Sequence, residues 1–136
     1  MTLTETKITN EILFEAAERI FAKFSYMSVG TGTTSFIDSS TDLNLPVQIN
    51  ASDFRKLRVN APTGSFRNGR DMIMLFNLDP DEPVVQPVNV GEIGLFKTSG
   101  TTPDMGAGAK LSVAQTKDTT LKQRWRFSLR VNRVGE

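Results

Sequence analysis

Three stretches of the sequence carry groups that could do chemistry, and the first is the glycine- and hydroxyl-rich segment VGTGTTSFIDSS. A phosphate-cradling P-loop needs a lysine in G-x-x-x-x-G-K-[ST] and a helix that starts directly after it. This segment has no lysine, and its G-x-G is not followed by the x-x-G of a dinucleotide fingerprint. We therefore expect a shaped surface connection whose glycines turn the chain. Its candidate partner-contact residues are Gly30, Thr31, Gly32, Thr33 and Thr34.

The second stretch is LDPDEP, in which Asp79, Asp81 and Glu82 offer oxygen ligands for Ca²⁺. It lacks the glycine and the distal glutamate of an EF-hand loop, and its prolines suit a plain turn. A glycosidase would pair two carboxylates in a carbohydrate cleft, but the single Trp and single Tyr both fall in predicted strands. We expect no metal and no cofactor.

The third stretch is the alternating segment near the C-terminus. One face is apolar apart from Gln123, and we predict that it joins the core; its members are Leu121, Trp125, Phe127, Leu129 and Val131. The other face is a basic stripe of Lys122, Arg124, Arg126 and Arg130. Such a stripe could grip a phosphate backbone, but the aromatic rings that would stack on bases point the opposite way. Pairing with the acidic block 71–104, or with an acidic partner surface, is the favoured interpretation.

Composition narrows the functional classes further. The chain of 136 residues contains no Cys and no His, which removes thiolate chemistry, the commonest general base and the commonest metal ligand. We therefore predict that the protein is not an enzyme. The net charge of +1 hides blocks of −4 over 1–54, +5 over 55–70, −5 over 71–104 and +5 over 105–136. Blocks of alternating sign suit charge pairing between neighbouring elements or subunits.

Hydrophobic periodicity predicts one amphipathic helix followed by short strands in a single domain, 1–136. The helical stripe comprises Ile8, Ile12, Leu13, Ala16, Ala17, Ile20, Phe21 and Phe24. Residues 1–24 form an arm that packs on, or extends from, a β domain over 25–133. The predicted strands are Phe24–Val29, Val47–Asn50, Arg55–Val59, Asp71–Leu78, Val84–Val88, Glu92–Lys97, Lys110–Gln115 and Leu121–Asn132. The fold class is mainly β, an antiparallel sandwich or barrel of jelly-roll-like type.

Two more segments are candidate contact surfaces. The run DMIMLFNL is apolar on both faces, and a small domain with one helix has little to cover a second face. We therefore expect this strand at a subunit interface, with Met72, Met74 and Phe76 in contact with a partner. SGTTPDMGAGA is predicted as a long mobile loop, or as a loop ordered only by a neighbour, with Met105 as its contact residue. No membrane segment is expected, because the apolar runs are far shorter than the roughly 20 residues that span a bilayer.

Two stretches, in this order, resemble small structural proteins of tailed-bacteriophage virions. The first is YMSVGTGTTSFIDSSTDL, and the second is VGEIGLFKTSGTT followed by KLSVAQTKDTTLKQRWRFSLRV. The helix before the first motif and the insertion PDMGAGA depart from the pattern. The resemblance implies structural work in a phage particle, and it carries over no catalytic residue.

The leading hypothesis is a capsid decoration or cement protein, made in the host bacterial cytoplasm and located on the capsid surface of the virion. It would bind the major capsid protein or other virion proteins, as a homo-oligomer with a trimer favoured. The alternative is a tail, baseplate or fibre-adaptor component of the same kind of particle. A carbohydrate- or nucleic-acid-binding module is a third reading, although the charge balance disfavours nucleic acid.

Overall fold

The computed structural model describes residues 6–59, 66–133 and 135, and it confirms a mainly β fold of two antiparallel sheets with one N-terminal helix. One sheet has four strands in the order β2-β1-β5-β6, and the other has three in the order β3-β4-β7. The elements are α1 (Asn10–Phe21), β1 (Tyr26–Gly30), β2 (Lys56–Leu57), β3 (Phe66–Asn68), β4 (Asp71–Leu78), β5 (Val88–Phe96), β6 (Met105–Lys117) and β7 (Gln123–Leu129).

The core lies between the two sheets. Met27 and Val29 of β1 and Leu95 of β5 face it from the four-stranded sheet, and all three are fully buried. The rings of Phe76 on β4 and Phe127 on β7 stack in the other sheet with centroids 4.8 Å apart. Stacked aromatic pairs add to the free energy already gained by burying their apolar area.

Helix α1 packs on its own domain rather than extending from it. Leu13, Phe14 and Ala17 are buried, whereas Ile12 and Ile20 remain more than half exposed. The predicted apolar stripe was therefore wider than the face that packs. The guanidinium of Arg67 lies 4.4 Å from the ring centroid of Phe14, and it also forms an ion pair with Glu11 at 2.6 Å. These contacts join the helix to β3.

Several predicted strand boundaries were wrong. The strand over 71–78 is confirmed at both ends, but Val47–Asn50 and Val84–Val88 are not strands apart from Val88, where β5 begins. Each of the two failed segments contains or adjoins a proline, which cannot donate to a β-ladder. The strand predicted over 110–115 begins earlier, at Met105, so half of the predicted mobile loop belongs to β6.

The chain passes from one sheet to the other at both lateral sides of the sandwich. On one side the chain passes from β2 of one sheet toward β3 of the other, and the backbone N–H of Val59 donates to the carbonyl oxygen of Leu75 at 2.8 Å. On the other side β6 and β7 are the edge strands of their sheets. Residues 118–122 carry the chain across from β6 to β7, and the hydrogen bond from Trp125 to Gln115 also connects these two strands.

Candidate interaction surface

The backbone of the glycine-rich connection after β1 binds a carboxylate of the same chain, that of Glu92. The Glu92 side chain of β5 is fully buried and points outward from the four-stranded sheet, beneath residues 31–45. Its carboxylate accepts hydrogen bonds from the backbone N–H groups of Gly32 at 3.2 Å, Asn44 at 2.9 Å and Leu45 at 2.8 Å. Converging backbone N–H groups form an anion site, and here Glu92 occupies it.

The positions of the glycines follow from this buried carboxylate. A Cβ atom at Gly32 would lie 2.6 Å from Oε2 of Glu92, and one at Gly30 would meet both that oxygen and the carbonyl of Leu45. The prediction that these two glycines turn the chain was wrong: neither has a positive φ and Gly30 is the last residue of β1, so the close approach of Glu92 is what requires them. Thr33 and Thr34 are exposed, whereas Gly30 and Gly32 are buried and do not reach a partner in this conformation.

The segment 97–104 is anchored by a buried arginine. Arg55 is 4% exposed, and its guanidinium lies 3.7 Å from the ring centroid of Phe96. Its NH1 donates to the carbonyl of Thr98 and to Asp104, each at 3.1 Å, and its NH2 donates to the carbonyl of Thr102. A planar guanidinium can stack and donate several hydrogen bonds at once. The predicted mobile loop is thus tied down from within the chain.

The expectation of a subunit interface along β4 was wrong. Met72, Met74 and Phe76 are all fully buried and belong to the core between the sheets. They pair in register with Leu129, Phe127 and Trp125 of β7. The sandwich itself covers this face, because the second sheet supplies the apolar surface that composition alone did not reveal.

Two of the predicted contact segments meet beside the start of β6. Met105 is half-buried, and its backbone N–H donates to the carbonyl of Thr41 at 3.1 Å. A groove here runs between Phe36–Ser40 and β6 residues 105–108. Ile37 on its wall is 70% exposed. The glycine-rich connection and the 99–109 segment therefore form one continuous surface.

The acidic turn LDPDEP is neutralised by lysines. Lys56 Nζ lies 2.6 Å from Oε1 of Glu82 and 3.7 Å from Asp79. Lys117 is fully buried, and its Nζ donates to the carbonyl of Pro80 at 3.2 Å; burial lowers the pKa of this ammonium group. Among the residues that the structure describes, no three His, Cys, Asp or Glu side chains are placed to hold a metal ion. The turn is a structural, charge-paired element.

The basic stripe lies on the outer face of the three-stranded sheet, as predicted, and its ends are paired. Arg130 contacts Asp71 across the β4–β7 ladder and holds the pKa of that carboxyl below its ordinary value. Lys122 lies 3.9 Å from Asp79. Both acidic partners belong to the 71–104 block. The two central members, Arg124 and Arg126, lie opposite uncharged residues of β4.

Beside these arginines the sandwich opens into a cleft between β6 and β7. Its volume is about 300 Å³. Its lining residues are Ile93, Ala109, Leu111, Trp125, Arg126, Phe127 and Ser128. One end is closed by side chains, since Trp125 Nε1 donates to Gln115 at 3.2 Å and Gln123 Nε2 donates to the carbonyl of Thr116 at 2.9 Å. The cleft is largely apolar, and Arg126 stands at its rim.

Sequence reasoning missed three organising residues, Glu92, Arg55 and Lys117. All three are charged residues that are fully or almost fully buried, which is rare for charged side chains. The only sequence signal was indirect. Glycines stand on both sides of Glu92 in VGEIG, and Gly30 and Gly32 stand at the start of the segment that covers it. Buried charges of this kind can be recognised only in the folded structure, where backbone donors or acceptors from distant parts of the chain come together.

No model of a known protein family matches this chain, and no curated protein matches it. None of the described residues forms a helix long and apolar enough to span a membrane.

Proposed function

We propose that this chain is a non-enzymatic structural protein of a tailed-bacteriophage virion, which binds the capsid exterior as a decoration or cement protein. The supporting observation is that the first stretch resembling such proteins and the beginning of the second, VGEIGLFKTSGTT, form one structural unit. Residues 26–43 contain β1 and its glycine-rich extension, and 90–102 contain most of β5. β1 and β5 pair from Tyr26–Phe96 to Gly30–Glu92, and Glu92 then binds the backbone of the covering segment.

The arrangement of charged groups favours binding over catalysis. The buried carboxylate of Glu92 is saturated by backbone donors, and Asp104 is paired with Arg55. Catalytic acids and bases need access to a substrate proton, which the fully buried Glu92 lacks. The accessible features are instead a basic sheet face, an apolar cleft and the surface around Ile37. Such features suit contacts with other proteins.

Stabilisation by binding is the proposed mechanism. Each copy spans neighbouring shell subunits, and burial of apolar area contributes about 25 cal/mol per Å² before ordering costs are subtracted. A stable contact buries on the order of 800 Å² on each partner. Because many copies act together on one shell, individually weak contacts resist expansion or internal pressure collectively. The partner is the major capsid protein or another virion protein, and the copies associate as a homo-oligomer, with a trimer favoured.

Copy number and shell binding test this function. We expect the purified protein to bind expanded shells that lack it and to raise their temperature of disruption. A quantified gel of intact particles should show hundreds of copies, as a capsid-surface protein requires. Failure to bind the shells would contradict the cement role.

The alternative role is that of a tail, baseplate or fibre-adaptor component of the same kind of virion. That role predicts a copy number from a handful to a few dozen in the same gel. Sedimentation of the isolated protein tests the trimer separately. Binding to glycans or polynucleotides at low salt would instead indicate a recognition module of another class.

A further inference from the structure

The backbone of β7 has one side without a paired strand in the part of the chain that the structure describes. Among the described strands, β7 pairs only with β4, so it is the edge of its sheet. In an antiparallel ladder the backbone N–H and C=O groups of alternate residues point away from the paired neighbour. An edge of this kind accepts an added extended segment, whose main chain supplies the complementary hydrogen bonds.

The apolar cleft between β6 and β7 lies beside that edge. Trp125 and Phe127 of β7 are half-buried, and Leu111 of β6 faces them across the opening. Side chains alternate between the faces of a strand. Every second side chain of a segment added to β7 would therefore point toward this cleft, where an apolar residue would be buried.

The outer face of β7 carries positive charge that the described residues pair only in part. Arg130 and Lys122 are paired with carboxylates of the chain, but Arg124 and Arg126 lie opposite Asn77 and Leu75. Within the described part of the chain, no Asp or Glu lies within ion-pair distance of either central arginine. Opposite charges across strands are favourable and like charges are not. A second copy of β7 would oppose arginine with arginine, whereas carboxylates would complement both.

We infer that the β7 edge, with the cleft between β6 and β7, binds an extended segment of another protein in which carboxylate residues alternate with apolar residues. The carboxylates contact Arg124 and Arg126 on the outer face, and the apolar side chains enter the cleft. This inference rests on the proposed function, for which it specifies the chemistry of the partner segment.

A pair of peptides tests it on the whole chain. The acidic peptide TEVEVEVT, with blocked ends, should bind and slow hydrogen exchange at backbone amides within 123–129. It should also perturb the indole signal of Trp125. The basic counterpart TKVKVKVT should bind at least about tenfold more weakly, because two attractive cross-strand pairs become repulsive. Equal binding of the two peptides, or protection confined to other strands, would overturn the inference.

Charge reversal supplies a matched control. The double variant Arg124→Glu with Arg126→Glu should prefer the basic peptide. Arg19→Glu with Lys23→Glu changes the net charge equally at two exposed residues near the helix and should leave the acidic preference unchanged. Tighter binding of a single-stranded oligonucleotide than of the acidic peptide at Arg124 and Arg126 would overturn the inference in favour of phosphate recognition. Copy number and shell binding test the proposed function separately, so the two can fail independently.

Discussion

The carboxylate of Glu92 accepts a hydrogen bond from the backbone N–H of Gly32 at 3.2 Å, although 59 residues lie between the two in the chain. Asn44 and Leu45 donate to the same carboxylate. One buried side chain thereby fixes a long connection that has little regular structure of its own. The connection and the four-stranded sheet should therefore respond together when this contact is changed.

Removing the Glu92 carboxylate should destabilise the whole domain. Glu92→Ala leaves the buried N–H of Gly32 and the part-buried N–H groups of Asn44 and Leu45 without their acceptor, and we expect the free energy of unfolding to fall by about 3 kcal/mol. Glu92→Gln should cost less, because its amide retains one oxygen. Urea unfolding measures both. Glu15→Ala, at an exposed position on α1, is the control and should lie within about 0.5 kcal/mol of wild type. A wild-type midpoint for Glu92→Ala would contradict this role.

The close approach of Glu92 leaves too little room for an alanine side chain in place of Gly32. The added Cβ would lie 2.6 Å from an oxygen that hydrogen bonds hold in place, so the segment must shift. We expect Gly32→Ala to lower the free energy of unfolding by about 2 kcal/mol. Gly100→Ala is the matched control, because a Cβ there meets nothing within 4 Å. Equal unfolding free energies for the two variants would show that the carboxylate readily gives way.

Local patterns predicted the elements whose signals lie within one segment. The apolar run of β4 and the alternation in β7 are examples. Trp125, Phe127, Leu129 and Val131 were assigned correctly to the core side, but Leu121 was not, because it precedes β7 and is 44% exposed. The start of β6 was missed because MGAG has low intrinsic strand propensity. Its glycines serve tertiary packing, since a Cβ at Gly106 would overlap the ring of Phe24 and one at Gly108 would lie 3.0 Å from Phe36. Neither aromatic residue is near in sequence.

Arg55 should control the order of the segment 97–104. Arg55→Lys keeps the charge but loses the fork that reaches Thr98, Thr102 and Asp104 together. We expect faster hydrogen exchange and faster proteolysis within 97–104, with the remaining strands little changed. Arg55→Ala should also cost about 3 kcal/mol, because the partly buried Asp104 loses its buried partner. Arg19→Lys, at an exposed residue of α1, is the control for the replacement of an arginine by a lysine. Unchanged proteolysis in Arg55→Lys would contradict the anchoring role.

The candidate surface was only partly predictable from the sequence, because it depends on which residues of different strands are brought together. The basic stripe was identified from alternation alone, but which members are paired depends on the β4–β7 register. That register places Asp71 near Arg130 and leaves Arg124 opposite Asn77. The apolar cleft also required the edge strand β6, which comes from a different sheet. Sequence periodicity specifies faces, whereas the partners of those faces depend on topology.

The Asp71–Arg130 pair should give the stability of the protein a dependence on acid pH. The hydrogen bond from Arg130, and the nearby charges of Arg130, Arg70 and Arg126, hold the pKa of Asp71 below the ordinary 3.8 in the folded state. Between that lowered pKa and 3.8 the unfolded chain binds more protons than the folded chain, so the contribution is present above 3.8 and is lost as pH falls through the folded pKa.

Arg130→Gln isolates this effect. The difference in unfolding free energy between wild type and Arg130→Gln should be constant above about pH 5 and should narrow as pH falls below 3.8. The carboxyl signal of Asp71, followed by NMR, should titrate closer to 3.8 in the variant. Arg124→Gln removes a neighbouring cation of the same strand that has no hydrogen bond to Asp71, and it should leave the titration largely unchanged. If the difference between wild type and Arg130→Gln instead widened in acid, Asp71 would be more easily protonated in the folded state, and the pair would not stabilise the sheet.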